Sequence, residues 1–179
     1  MLVVISGAFV WYIYQYSHNP LTHLKILPQY LAHDIFVKRF GQQGGIQSYL
    51  KAAKVTYYKD KDKLIFTKPD LLLYNGQQPW HINAESAVTS SNLKIINLFG
   101  NVKLEQAAGK KNDATSIFTS ELTIDTQNRT ASTEANVKIV QIGQNNTKSI
   151  IEAKGASVNQ KTGEVLLKSS TKEYFMPGK

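Results

Sequence analysis

Residues 80–104 read WHINAESAVTSSNLKIINLFGNVKL and contain one complete copy of a pattern that recurs along the chain. The first half of the pattern has the form apolar-x-small-x-x-apolar, and a second short segment follows it at a constant offset. The copies recur at intervals of about 34 residues. Their first halves lie at 50–55, 82–87, 117–122 and 151–156, and their second segments at 64–66, 96–98, 131–133 and 165–167. This regularity predicts a stack of similar two-stranded units, which forms an elongated body with two ends.

Alternating apolar and polar residues predict β-strands over almost all of the chain from Ile46 onward. The connections between these runs are short, so neighbouring strands must be antiparallel. Pro69 has no N–H group for a sheet hydrogen bond and therefore predicts a bend or an edge. The predicted strands are residues 34–40, 49–58, 64–74, 80–90, 93–105, 116–125, 130–142, 149–159 and 164–175.

Each copy of the pattern changes strand parity after its small third residue. Leu50 and Ala52 point to one side by alternation, whereas Val55 continues on the opposite parity. Such an apolar set stays on one face only if an extra residue is absorbed, which predicts a β-bulge or sharp bend between positions three and six. A single helical turn is the alternative, and the flanking β-branched residues disfavour it. Gly100, directly after Phe99, also indicates a turn or bulge.

Bent hairpins whose apolar sides face each other form a sandwich or a roll, and the interior of such a fold can take one of two forms. Either the two sheets close over a filled core, or they splay apart around an apolar trough. Composition alone favours the closed core, because most apolar residues in strands are core residues. The candidate residues for either interior are Phe66, Trp80, Ile82, Leu98, Phe99, Val102 and Leu104.

The formal net charge is +8, from 21 basic and 13 acidic residues among 179. A basic surface could bind nucleic acid, anionic lipid or a phosphorylated glycolipid, or could serve solubility alone. The lysines are scattered, which favours solubility, and basic residues interleaved with exposed aromatics are too few to predict nucleic-acid binding. Cysteine is absent, which excludes disulfides, thiolate metal sites and a cysteine nucleophile.

Motifs for catalysis or cofactor binding are missing from the sequence. The histidines show no metal-ligand spacing, and there is no nucleophile elbow, phosphate-binding loop or dinucleotide fingerprint. The carboxylates are spread singly over predicted strands and turns. We therefore expect a protein that is not an enzyme and that needs neither a cofactor nor a metal.

The chain begins with an uncharged, mostly apolar segment, residues 2–16. It ends in Trp11, Tyr12, Tyr14 and Tyr16, and such rings favour the membrane–water interface. No small-residue cleavage site follows, so residues 1–17 are predicted to be a transmembrane anchor, with a cleaved signal or a buried helix as alternatives. Residues 18–33 are then a linker and residues 34–176 the β domain.

Four segments in the first half of the body resemble the LptC family, the bitopic component of the Gram-negative lipopolysaccharide export machine. They are GGIQSYLKAAKVTYY (44–58), IFTKP (65–69), WHINAESA (80–87) and INLFGNVKL (96–104). Residues 113–175 resemble the family through the repeat alone, and the basic residues usual before the anchor are missing. The resemblance implies an all-β fold, a twisted β-jellyroll of the OstA/LptA type. It would consist of stacked antiparallel bent hairpins in two sheets, preceded by one N-terminal transmembrane helix.

The resemblance also implies a function without chemistry. A hydrophobic groove would take lipopolysaccharide from the ATP-driven extractor, formed by LptB, LptF and LptG, and pass it to the periplasmic bridge protein LptA. The anchor would cross the inner membrane once, with the body in the periplasm. A scaffold that only links these proteins, or a carrier of a different lipid, are the alternatives.

Individual residues match the family's functional positions. Phe66 and Phe99 match groove-lining aromatics, and Ile35 and Gly163 also match groove positions. The rest of the groove lining would come from the other interior candidates given above, which are Trp80, Ile82, Leu98, Val102 and Leu104. Gly44 matches a glycine linked to contact with the extractor. Val165, Leu167 and Tyr174 lie on the last strand, the edge expected to pair with LptA.

Overall fold

The computed structural model describes residues 27–41, 43–74, 78–109, 113–143, 147–159 and 164–176. Within these ranges the chain forms antiparallel strands and one turn of 3-10 helix at Lys59–Lys61. The all-β prediction is thus confirmed. The strands are β1 (Tyr30–Phe40), β2 (Ile46–Tyr58), β3 (Lys63–Thr67), β4 (Asp70–Leu73), β5 (Trp80–Asn83), β6 (Ser86–Thr89), β7 (Ile95–Gln106), β8 (Ala114–Asp125), β9 (Thr130–Ile142), β10 (Lys148–Asn159) and β11 (Val165–Met176).

The strands lie side by side in chain order, and two of the predicted strands are split. β3 and β4 together take the place of one long strand, and they pair with the two ends of β2. β5 and β6 likewise replace one long strand, and they pair with the two ends of β7. The first split falls at Lys68 and Pro69, where Lys68 has a φ of 49°. The bend expected at Pro69 is therefore present, because proline cannot continue the ladder. The second split falls at Ala84 and Glu85.

The predicted bends are present as a strand break in the second copy of the repeat and as register shifts in the third and fourth copies. β7 and β8 shift between Phe99 and Val102, and β8 and β9 shift between Thr119 and Thr123. β10 shifts against β11 between Glu152 and Lys154, and against β9 between Lys154 and Ala156, where Gly155 has a φ of 76°. In the first copy the predicted bend is wrong for β2, which runs on as a continuous strand past Ala52 and Val55; the interruption lies in its neighbours β3 and β4. The bends are bulges and strand breaks, and none of these positions is helical.

The bends divide the sheet into two leaves that face each other. Leaf A contains β4, β5 and the portions of the long strands that lie beside them in the sheet. Leaf B contains β3, β6 and the portions of the long strands that lie beside those two. One buried cluster takes Ile82 and Val102 from leaf A, and Ala87, Leu98 and Leu122 from leaf B. Hydrogen bonds connect both leaves in a single 11-stranded sheet, so the two sheets expected from the sequence are two parts of one bent sheet.

A second buried cluster lies towards the C-terminal end of the stack. Val137, Ile139 and Ala156 form it, and Ile117, Ile151 and Leu167 pack against it. The two clusters follow the stack of repeats, as expected when each unit buries its apolar face against its neighbours.

The predicted anchor, residues 1–17, lies outside the described residues, as do residues 18–26 of the predicted linker. The rest of that linker includes the start of β1, which begins at Tyr30 and not at residue 34. Tyr30 pairs with Tyr57 and the two rings stack with centroids 6.1 Å apart, which extends the edge strand towards the N-terminus. Within the described ranges, no helix has the length and apolar character needed to span a bilayer.

Candidate functional site

The space between the two leaves is lined by large apolar side chains that the protein leaves partly uncovered. These side chains pack against the first buried cluster, yet each keeps some exposed surface: Phe66, Leu71, Leu73, Ile96, Leu104 and Ile124. A closed sandwich would bury such residues on both inner faces. Of the described side chains that are fully buried, the largest is Val102. The inner faces of the two leaves thus form an apolar surface that stays partly exposed, and this surface is called the trough here.

The predicted groove residues occupy different depths of this trough. Ile82, Leu98 and Val102 are 4%, 4% and 1% exposed and form its packed floor near the bends. Phe66 and Leu104 lie above them and keep exposed surface. A ligand between the leaves would thus contact Phe66 and Leu104, while the three floor residues hold the leaves in place.

Ile35 and Trp80 lie on the inner face of leaf A. Ile35 pairs with the buried Ala52 and is half-buried on the edge strand β1. Trp80 is half-buried, pairs with Leu73 and Gln106, and lines a cavity at the open end of the trough.

Phe99 is not on the inner face. It follows the buried Leu98 directly, so alternation turns it outward, and it is 41% exposed opposite Glu121. The structure therefore separates Phe99 from Phe66, although the family resemblance assigns both to the groove. Gly163 lies outside the described residues.

The open end of the trough is called the mouth here, and it contains two adjoining cavities of about 300 and 640 Å³. The smaller cavity lies between Leu73 and Trp80 of leaf A and Ile124 of leaf B. Arg39 and Arg129 line both cavities. The mouth thus combines apolar walls with two guanidinium groups.

The turn between β8 and β9 holds one side of the mouth in a defined conformation. Asp125 Oδ1 accepts hydrogen bonds from the backbone N–H groups of Gln127 and Asn128, both at 2.9 Å, and Oδ2 accepts one from Asn128 Nδ2 at 2.7 Å. The bonds from Asn128, first from its backbone and then from its side chain, lower the pKa of Asp125 below its ordinary value. Thr126 also donates its hydroxyl to the Leu93 carbonyl at 2.9 Å.

The other side of the mouth is the turn between β1 and β2, which contains Gly44. The Gly44 N–H donates to the Gly41 carbonyl at 3.0 Å, and the Gly41 N–H donates to the Gly45 carbonyl at 2.8 Å. Gly44 has a φ of 77°, and a Cβ placed on it would have no atom within 4 Å. It therefore sits on an open turn that a partner protein could approach.

The first and last strands are the two free edges of the sheet. In the described part of the chain β1 pairs with β2 alone, and β11 pairs with β10 alone. Both edges expose large apolar side chains, including Val165 and Tyr174 on β11, while Leu167 is half-buried against the second cluster. Unpaired edges of this kind can accept another strand.

Sequence reasoning missed the two arginines at the mouth. They are the only arginines in the chain, a compositional signal that was available, but they lie far apart in sequence. Only the folding of leaf A over leaf B brings them to one opening.

The site shows no arrangement typical of a catalytic or metal centre among the residues that the structure describes. No group of three or more metal-ligating side chains occurs there. His81 Nε2 lies 2.5 Å from Asp70 Oδ1, on the outer face of leaf A and away from the trough. What the trough and mouth can do chemically is bind an apolar ligand with an anionic end.

Comparisons with known proteins agree with the fold described above. The family described as "Lipopolysaccharide-assembly, LptC-related" matches residues 1–176. No curated protein sequence matches the chain. Among solved structures, the chain is similar to LptH from Pseudomonas aeruginosa, the LptA-homologous periplasmic component of its lipopolysaccharide transport device. The TM-score is 0.54 at 10% identity, covering 73% of this chain and 95% of that one. At this identity the likeness shows a shared fold.

Proposed function

Because the chain belongs to the LptC family, whose description is lipopolysaccharide assembly, we propose that it carries lipopolysaccharide between membrane and periplasm. Membership in the family and the LptA-like fold support a role in lipopolysaccharide transport. In the proposed route the chain receives the lipid from the inner-membrane complex of LptB, LptF and LptG. It then passes the lipid to LptA.

The partly uncovered inner face of the trough is the observation that supports carriage best. Acyl chains between the leaves would contact Phe66, Leu104 and Ile124, whose side chains are partly exposed. Each CH₂ group removed from water there contributes about 0.8 kcal/mol. Binding of this kind needs no reaction, and the chain has no nucleotide motif. We therefore assign the energy for directional movement to the ATP-driven extractor.

The two free edges fit the two proposed partners. Edge β1 and the Gly44 turn would face the extractor, because they follow the N-terminal segment that we propose to be a single transmembrane anchor in the inner membrane. Edge β11, with Val165, Leu167 and Tyr174, would pair with LptA by strand addition. The β domain, residues 34–176 together with the start of β1, would then lie in the periplasm.

Photo-crosslinking in living cells tests the proposed carriage. We expect a crosslinking residue at Phe66, on the inner face, to capture lipopolysaccharide. The same residue at Phe99, the matched aromatic position on the outer face, should not capture it. Mass spectrometry of the lipid extracted with the protein should identify lipid A.

Other outcomes would point to other functions. If neither position captures lipid while a crosslinker at Tyr174 captures LptA, the chain is a scaffold that only links proteins. Phospholipid in place of lipid A would indicate a carrier of a different lipid. Capture at Phe99 but not at Phe66 would place the lipid outside the trough.

A further inference from the structure

The two arginines of the chain come from opposite leaves and meet at one opening. Arg39 lies on β1, where it pairs with Ser48 on the inner face of leaf A, and a register shift follows between Arg39 and Phe40. Arg129 ends the turn between β8 and β9 on leaf B, with a φ of 56°. Both side chains line both cavities of the mouth. The fold therefore brings to the mouth a residue type that occurs nowhere else in the sequence.

The guanidinium donors of these arginines are not occupied by carboxylates, although Asp125 adds one negative charge to the same cavity. Across the described ranges, neither guanidinium forms an ion pair with an acidic side chain. The one carboxylate that lines the mouth is Asp125, which already accepts three hydrogen bonds within its own turn. Both guanidinium groups thus keep donors for a ligand.

The walls below the arginines are apolar. Leu73, Trp80 and Ile124 line the same cavity as Arg39 and Arg129, and Leu73 and Ile124 also pack against the first buried cluster between the leaves. A ligand that satisfies both parts must have an apolar body and an anionic group at one end. Guanidinium groups bind phosphate by paired, parallel N–H bonds, which a lysine cannot match.

We propose that Arg39 and Arg129 form a clamp for a phosphate group at the head of the amphiphile whose acyl chains occupy the trough. This assignment rests on the proposed function, because it takes the acyl chains of the carried lipid to lie between the leaves. The clamp draws one arginine from each leaf, so a shared phosphate would link the leaves across the mouth. It would also fix which end of the lipid faces out.

The test measures binding of two lipids to the full chain in detergent. One is lipid A with its phosphates, and the other is the same glycolipid after enzymatic removal of the phosphates, with its acyl chains unchanged. The variants are Arg39→Gln with Arg129→Gln, the conservative pair Arg39→Lys with Arg129→Lys, and the control pair Lys59→Gln with Lys61→Gln on the exposed 3-10 turn. Thermal melting followed by circular dichroism checks that each variant is folded. Both arginines are exposed, so their removal leaves no buried cavity.

We expect the double glutamine variant to bind phosphorylated lipid A about tenfold more weakly or worse, since each charge-assisted hydrogen bond is worth about that factor. Its binding of the dephosphorylated lipid should not change, the lysine variant should lie in between, and the control pair, which removes the same charge, should bind like the unsubstituted chain. Inorganic phosphate should not displace the lipid, because most of the affinity comes from the acyl chains.

Two results would overturn the proposed clamp and leave the proposed function standing. One is equal binding of phosphorylated lipid A by the unsubstituted chain and the double glutamine variant. The other is displacement of the lipid by inorganic phosphate, which would assign the arginines to free phosphate. If the unsubstituted chain bound neither lipid, the proposed function would fall together with the clamp.

Discussion

Gly100 is the residue at which β7 bends, and both its backbone conformation and its close contact with Glu85 favour glycine there. Its φ of 75° lies in the left-handed region, and the Glu85 N–H donates to both the Phe99 and Gly100 carbonyls, at 3.2 and 3.0 Å. A Cβ on Gly100 would lie 2.8 Å from the Cβ of Glu85. The sequence indicated a turn or bulge here, because glycine tolerates such a conformation at little cost. The close approach of Glu85 could not be read from the sequence, since it depends on how the break between β5 and β6 packs against β7.

We predict that Gly100→Ala destabilises the protein more than Gly44→Ala does. Gly44 has nearly the same φ but open space around it, so its variant carries only the conformational cost, about 1 to 2 kcal/mol. Gly100→Ala adds a clash with Glu85 that backbone movement must relieve. Urea unfolding of both variants measures the difference, and equal free energies of unfolding would contradict the tight contact at the bend.

β7 shows how far alternation alone predicts an element and its faces. Its bounds, Ile95–Gln106, differ little from the predicted strand at 93–105, because period-two patterning is the main signal of a half-buried strand. The same alternation separates Leu98 from Phe99, so Phe99 does not share an inner face with Phe66, although the resemblance matched both aromatics to the groove. The split between β5 and β6 has no proline to mark it, so only the repeated bend predicted it.

Substitutions at these two neighbours test the assignment of faces. We predict that Leu98→Ala costs about 2 to 5 kcal/mol, because it leaves a cavity in the first buried cluster. Phe99→Ala should cost less than about 1 kcal/mol, because its side chain is largely outside the packed interior. Thermal or urea unfolding of both variants gives the comparison. A larger loss for Phe99→Ala would mean that β7 has the opposite face inward.

On the scale of the whole molecule, the sheet has two edge strands with unpaired backbone groups, β1 and β11, and an interior that is open at the mouth. The apolar inner face could be anticipated from the repeat, since each copy supplies inward residues at fixed positions. The mouth could not, because Arg39 and Arg129 meet only after the bends fold one leaf over the other. The openness of the interior also depends on the angle between the leaves, which no sequence pattern states.

Proline variants test whether β11 is the edge that pairs with LptA. In a strand, successive N–H groups point to opposite sides, so of Leu166 and Leu167 one N–H faces β10 and the other faces outward. We predict that proline at the outward position keeps the circular dichroism spectrum and abolishes capture of LptA by a crosslinker at Tyr174. Proline at the other position should weaken the pairing with β10. Normal capture by both variants would rule out strand addition at this edge.

The order of the strands also governs how the molecule can be made. Every described strand pairs with partners less than one repeat away along the chain, so only short loops close during assembly. Such local topologies fold quickly and can grow from one end. A chain that emerges N-terminus first can therefore add its strands in the order of their synthesis. The edge at β11 forms last, so we expect a truncated or incompletely folded chain to lack the surface that joins it to the next protein.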